Sequence, residues 1–313
     1  MVYDDILDGI LKAEGLGKSE DLPDDRRMIS KKAEAQIKYI ESLRPFAREL
    51  WKSFKKQKIT IDYSKKEIQN SYLLRYFLPY ANLLSKEIQD SGVRFPVHRN
   101  LSVSLFGCGP APCLVSLLFY LKKNSVRRIV KASLFDKASW DHARDIIRNH
   151  IIPNIWDSND LKIDSFTSDF STDSFWTESL AARKAISESN LVVFQNCLNE
   201  ITDKEMIINN IGKIIASLSS DSFIVFIDQG EGKYSKSTDY ILKDILGKSK
   251  ASSKKLKIIK NIQDNSFNCK EINSNLPEMG KFLYYTNVPR DEIKHGLILR
   301  NKINYSSVIL KRL

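Results

Sequence analysis

The chain has 313 residues, 42% hydrophobic and 28% charged, with a formal net charge of +11. This length admits one large domain or a domain with a sizeable extension, and the composition is that of a globular protein. No apolar run approaches the roughly 20 residues that a membrane-spanning helix requires. The opening MVYDDILDGILKAEG is acidic and amphipathic, unlike a secretory signal or an Arg-rich transit peptide. A cytoplasmic protein without a membrane partner is the expectation. Cys108, Cys113, Cys197 and Cys269 are scattered with no CxxC pair, which argues against a disulfide framework and a zinc site. No metal is expected, and the thiols read as reduced, buried side chains.

Residues 1–95 read as helical, with no glycine between Gly17 and Gly92. Residues 24–56 carry Ile37, Ile40, Leu43, Phe46, Leu50 and Phe54 at helical spacing. A second helix over 64–89 carries Ile68, Leu73, Tyr76, Phe77, Tyr80 and Leu84, and Pro79 should bend or restart it. This segment is expected to form a helical cap, with a second domain over 96–313.

From residue 101 onward, strands and helices alternate. Strands are expected at 101–106, 128–135, 161–166, 190–195 and 222–227, with helices at 113–121, 139–151, 174–187, 203–218 and 236–246 between and after them. Such βα units imply a mostly parallel sheet with helices on both faces. Two late runs, 281–287 and 305–311, read as strands with no helix between them, which suggests an antiparallel addition at the sheet edge. The Lys- and Ser-rich stretch 247–280 reads as an insertion.

The first strand ends at Gly107-Cys108-Gly109-Pro110 and leads into an apolar helix. Glycine lets the backbone approach a ligand closely, and the N–H groups at a helix start favour oxygen-rich ligands. In an open parallel sheet, ligands bind outside the carboxyl ends of the strands. That rule places the glycine turn, Asp136, Asp169 and Gln195-Asn196 on one rim. An acid at the end of the second strand suits ribose hydroxyls, and Asp169 beside Phe170 suits an adenine. The plainer reading makes Asp136 and Asp169 helix caps, and Asn196, Asn199 and Glu200 a loop and capping group. A dinucleotide fingerprint wants a third glycine where this chain has Pro112, and Asp136 lies 27 residues beyond Gly109. No GK[ST] follows the glycine loop, so a phosphate-cradling P-loop is excluded.

On the segments LFGCGPAPC, SLFDKA, TSDF and VVFQNCLNE and the antiparallel tail, residues 100–313 resemble the class I S-adenosylmethionine-dependent methyltransferases. The resemblance implies an α/β, Rossmann-like, mostly parallel seven-stranded sheet with an antiparallel C-terminal strand, beside the N-terminal helical domain. It implies S-adenosyl-L-methionine as cofactor, held by Gly107, Cys108, Gly109, Pro110, Asp136, Asp169, Phe170, Gln195 and Asn196. The Asp/Asn-Pro-Pro-Tyr/Phe motif of amino-nitrogen methylation is absent. Asn196, Asn199 and Glu200 are therefore the candidates for orienting the acceptor or taking its proton. Cys197 invites comparison with cytosine-C5 enzymes, but Asn196 stands where those place proline.

For the acceptor, Tyr72, Tyr76 and Tyr80 recur every four residues and form a helical stripe. They serve either as core contacts or, with Asn82, as a closure over the cofactor or a stacked base. Lys248, Lys250, Lys254, Lys255, Lys257 and Lys260 follow one another with no acidic residue among them. Such a patch attracts polyanions, so RNA or a ribonucleoprotein is the expected partner, through Lys254, Lys255 and Lys257. The alternatives are a small-molecule or protein methyltransferase under a helical lid, and a binding protein that keeps the fold without turnover.

Overall fold

The structure is a computed structural model that describes residues 3–23, 28–54, 61–95, 100–126, 129–198, 201, 203–229, 240, 243–247, 256–284 and 302–313. Two compact units emerge, one of residues 1–80, 140–155 and 268–302, the other of 81–139, 156–267 and 303–313. These units do not coincide with a cut at residue 95. The first recruits two later segments, and the second takes the helix Leu83–Ser91.

The described elements of the first unit are helical apart from the end of one strand at Asn268 and the start of the last at Lys302, with helices including Tyr3–Ala13, Lys31–Ser42, Arg44–Ser53 and Asp141–Ile146. Its long apolar helix begins at Lys66, widens into a π turn over Leu73–Phe77, resumes at Leu78–Ala81 and restarts at Leu83. A second π turn spans Ile147–Ile151. Each π turn ends two residues before a proline, Pro79 or Pro153. Proline lacks the N–H that an α-helix directs to the carbonyl four residues back, and its ring crowds that carbonyl. A wider turn relieves this conflict, so the winding of the helix changes just before each proline. Fully buried Gln36 donates to the carbonyls of Leu16 and Lys18, at 2.9 and 2.7 Å, and accepts from the Glu20 N–H.

The second unit holds a seven-stranded sheet. Its strands are β1 (Leu101–Phe106), β2 (Val130–Asp136), β3 (Leu161–Thr167), β4 (Leu191–Gln195), β5 (Phe223–Gln229), β6 (Leu256–Asn268) and β7 (Lys302–Arg312). They lie in the order β3-β2-β1-β4-β5-β7-β6. β1 to β5 run parallel, and β7 pairs antiparallel with β5, Val225 opposite Ile309.

One expectation fails here. Residues 281–287 do not begin as a strand: Lys281 ends the helix Glu278–Lys281 and 282–284 form a turn. Leu283 and Tyr284 are apolar because they are buried in the helical unit, where the Tyr284 hydroxyl reaches the Leu74 carbonyl at 3.4 Å. The sixth strand instead occupies 256–268, inside the stretch read as an insertion. Residues 285–287, also part of that expected strand, lie outside the described residues.

The register brings one phenylalanine from each parallel strand onto a single rung. Phe166, Phe135, Phe106, Phe194 and Phe226 stand in that order across β3, β2, β1, β4 and β5. Their rings stack with centroids 4.7 to 5.0 Å apart and planes within 13°. That spacing is the distance between neighbouring strands, so the ladder is a direct product of register. Phe170 and Phe175 close over it edge-on to Phe106, at 5.5 and 6.0 Å. The ladder is the floor beneath the strand ends where the candidate site begins.

Candidate functional site

One residue beyond the ladder, the side chains alternate to the opposite face. At that level β1 gives way to Gly107, while β2, β4 and β5 present Asp136, Gln195 and Ile227. Gly107 and Gly109 are left-handed, with φ of 56° and 53°, and Ala111 joins them at 64°. The Ala111 N–H closes the turn onto the Cys108 carbonyl at 2.8 Å. The helix Pro112–Lys123 then starts with Pro112 at its first position, and no side chain caps it. Proline tolerates that position because its missing N–H would find no partner inside the helix.

Asp136 is tied into this turn. Its Oδ2 accepts the Gly109 N–H at 2.8 Å and its Oδ1 accepts the Ala138 N–H at 3.0 Å, with the residue 8% exposed. The turn and the end of β2 are thus one hydrogen-bonded unit. The two residues that sequence spacing separates by 27 positions meet directly.

Asp169 and Phe170 behave differently from each other. Asp169 Oδ1 accepts from the N–H and hydroxyl of Ser171, at 2.9 and 2.5 Å, and its carbonyl accepts from Thr172. This is an Asx turn after β3 and not a helix cap, since the next helix starts at Phe175 with Ser174 before it. Phe170 is buried, its ring set against Phe106 and Phe194 at 5.5 and 5.7 Å, and its carbonyl receives the Asn210 amide at 2.9 Å. Its ring belongs to the core beneath the site.

At the end of β4, Gln195 is buried and Asn196 adopts a left-handed φ of 56°. The Asn196 N–H reaches the Ile227 carbonyl of β5 at 2.8 Å. Cys197 and Leu198 follow, both buried. Asn199 and Glu200, the other proposed catalytic residues, lie outside the described residues.

Sequence reasoning passed over Asp228. This residue of β5 is 1% exposed, and its Oδ2 accepts the Leu198 N–H at 2.8 Å. The signal was available: Asp228 is a strand-ending acid like Asp136, on the next parallel strand but two.

The expected acceptor residues are spread over both units. Tyr76 and Tyr80, of the helical unit, are 4% and 6% exposed, stacked at 6.1 Å with planes 12° apart. Tyr76 also meets Tyr72 at 5.5 Å and Phe54 at 5.1 Å, so the stripe forms core contacts of that unit. Asn82 precedes the helix Leu83–Ser91 without capping it. Of the lysine patch, Lys248, Lys250, Lys254 and Lys255 lie outside the described residues. Lys257 is exposed on β6. Lys260 is not part of a solvated patch, because its Nζ lies 2.9 Å from Oε2 of fully buried Glu87.

The sheet order, with five parallel strands and an antiparallel β7 set between β5 and β6, decides the architecture. The fold is a Rossmann-like α/β fold, with a mostly parallel seven-stranded sheet and an antiparallel C-terminal strand. No protein-family model and no curated sequence matches the chain. Solved structures do resemble it. A SAM-dependent methyltransferase from Leishmania major is 12% identical over 87% of this chain and 83% of its own, with a TM-score of 0.43. The N-methyltransferase NodS from Bradyrhizobium japonicum WM9, in complex with S-adenosyl-L-homocysteine, is 11% identical over 76% of this chain and 88% of its own, with a TM-score of 0.37. An rRNA methylase from Streptococcus thermophilus is 10% identical over 74% and 93%, with a TM-score of 0.35. Among the described residues no group of three or more His, Cys, Asp or Glu is placed to hold a metal ion, and no helix is long and apolar enough to cross a membrane.

Proposed function

We propose that this protein is an S-adenosylmethionine-dependent methyltransferase. The observation that carries the reading is the bond between the Gly109 N–H and the Asp136 carboxylate at the ends of the neighbouring strands β1 and β2. The donor set fits the cofactor. A carboxylate offers about four lone-pair directions, so Asp136 accepts ribose hydroxyls while holding the turn. Gly107, Gly109 and Ala111 are left-handed, and the two glycines carry no side chain, so the turn's backbone can approach a ligand closely. Gln195 and Asn196, at the end of β4, are the residues for the meeting of donor and acceptor.

When bound, the cofactor supplies an electrophilic methyl group on a sulfonium. The protein's part is to align the acceptor, since methyl transfer draws chiefly on proximity and orientation. A base is required only for an acceptor that must lose a proton, and Asn199 and Glu200 remain the candidates for that role. We assign the acceptor to RNA, whole or in a ribonucleoprotein, on the strength of the net charge of +11 and the lysines Lys254, Lys255 and Lys257. Acceptor recognition is assigned to these lysines and the helical segment. All four cysteines are buried, and we place the protein in the cytoplasm, where thiols stay reduced.

The test is transfer of a labelled methyl group from S-adenosylmethionine to total RNA, to protein extract and to a small-molecule extract. Label in RNA supports the assignment. Label in either other fraction moves the acceptor class, and no label in any fraction favours a binding protein that keeps the fold without turnover.

A further inference from the structure

We propose that Asp228 is a positioning residue for the cofactor turn, acting through Cys197; this rests on the S-adenosylmethionine reading above. The loop after β4 is pinned to β5 at two points, through the Asn196 N–H on the Ile227 carbonyl and the Leu198 N–H on the Asp228 carboxylate, each at 2.8 Å. Cys197 is the residue between the pins. Its side chain stands where a side chain at position 107 would have to go: a Cβ on Gly107 would fall 2.3 Å from Cys197 Cβ and 3.1 Å from its sulfur. The loop after β4 therefore rests against the first residue of the glycine turn, and that turn is in turn bound to Asp136. One line of contacts runs along the strand ends, Asp228 to Leu198, Cys197 to Gly107, and Gly109 to Asp136.

The energetics favour a tight coupling. Asp228 is 1% exposed, and a hydrogen bond to a buried charged acceptor is among the stronger ones. Packed interiors transmit displacement because they hold few voids. Releasing the Leu198 N–H would let Cys197 move off Gly107, and the turn would lose the wall that fixes its left-handed start. Cys197 thus has a role as a wedge, which explains a cysteine in this loop without assigning it nucleophilic chemistry.

The experiment uses the full chain in five forms: wild type, Asp228→Ala, Asp228→Asn, and Gly107→Ala alone and combined with Cys197→Gly. Two quantities are read on protein that melts cooperatively: S-adenosylmethionine affinity by calorimetry, and the rate of Cys197 alkylation by iodoacetamide, followed by peptide mass. Asp228→Ala should weaken the cofactor about tenfold and speed alkylation by a similar factor. Asp228→Asn should fall between wild type and Asp228→Ala in both, since its amide oxygen accepts the same N–H without the charge. Gly107→Ala should lose cofactor affinity, and adding Cys197→Gly should restore much of it, a non-additive pair. Unchanged alkylation in Asp228→Ala, equal damage from Asp228→Asn, or simple additivity of the Gly107 and Cys197 changes would each overturn the proposal. If Asp228→Ala does not fold, Asp228→Asn decides the Asp228 step by whether Cys197 alkylation rises above wild type, and the Gly107–Cys197 pair decides the Cys197 step. A wild type that ignores S-adenosylmethionine overturns the cofactor reading instead, and alkylation then still reports whether Asp228 holds Cys197.

Discussion

Gly107 must be glycine for two reasons that add. Its φ is 56°, and an added Cβ would meet Cys197 at 2.3 Å. A left-handed alanine costs about 1–2 kcal/mol, and overpacking a filled interior about 1–3 kcal/mol more. Gly107→Ala should therefore lower unfolding stability by about 2–5 kcal/mol in a urea titration, well beyond a surface change. His142 makes a second test at this scale. Its Nε2 lies 3.0 Å from Asn70 Oδ1 and 3.8 Å from Glu14 Oε1, with Lys66 on the same carboxylate. Burial holds its pKa below the ordinary histidine value, with Lys66 adding to that and Glu14 opposing it. A lowered folded value means the native state binds fewer protons than the unfolded chain. The stability it contributes is present above about pH 6.5 and is lost as pH falls further. His142→Gln should make the denaturation midpoint less sensitive to acid between about pH 7 and 5. At this scale the sequence revealed which residues sit at strand ends, because a strand end is a local event. It did not reveal that Phe170 turns into the core, that Lys260 finds Glu87, or that Asp228 reaches across to Leu198. Those depend on partners 30 or more positions away.

Among the elements, the helix Leu83–Ser91 is locked to the last two strands through one carboxylate. Glu87 accepts from the Tyr305 hydroxyl at 2.6 Å and from Ser307, and it pairs with Lys260 of β6 at 2.9 Å. Removing one partner of a buried pair costs about 3–5 kcal/mol, whereas replacing both by apolar groups is often neutral. Glu87→Ala should fall in that range by denaturant titration, and Glu87→Leu with Lys260→Met should recover most of it. Burial, then Glu87, raises the Tyr305 pKa above the ordinary tyrosine value. The raised value makes the native state the tighter proton binder, so this contribution is present below about pH 10 and fades at higher pH. β6 escaped the sequence reading for a physical reason. As an edge strand with exposed Lys257 and Ile258, it lacks the apolar run of the central strands. The apolar 282–284 imitated a strand because it is packed within the helical unit. By contrast β1, β2, β4 and β5 were legible because buried parallel strands are apolar on both faces. The phenylalanine ladder was hidden in them, since register is invisible until strands are paired. Phe106→Ala, at its centre, should cost about 3–5 kcal/mol.

For the whole molecule, the alternation of strands and helices was enough to foresee a mostly parallel sheet with an antiparallel last strand. Residues 140–155 group with the N-terminal helices from far along the chain, an association that no local pattern in the sequence marks. The net charge of +11 is a property of the whole chain, and the proposed RNA acceptor is tested at that scale. Replacing Lys254, Lys255 and Lys257 by glutamine should weaken RNA binding and flatten its salt dependence. It should leave cofactor affinity unchanged, and equal RNA binding before and after would remove RNA from the proposal. The central claim is the cofactor, and calorimetry with S-adenosylmethionine tests it most directly. The account predicts a single saturable site in the wild type, weakened at least about tenfold in a folded Asp136→Ala protein that has lost a charged acceptor. Absence of binding by the wild type, or equal binding by both proteins, would contradict it.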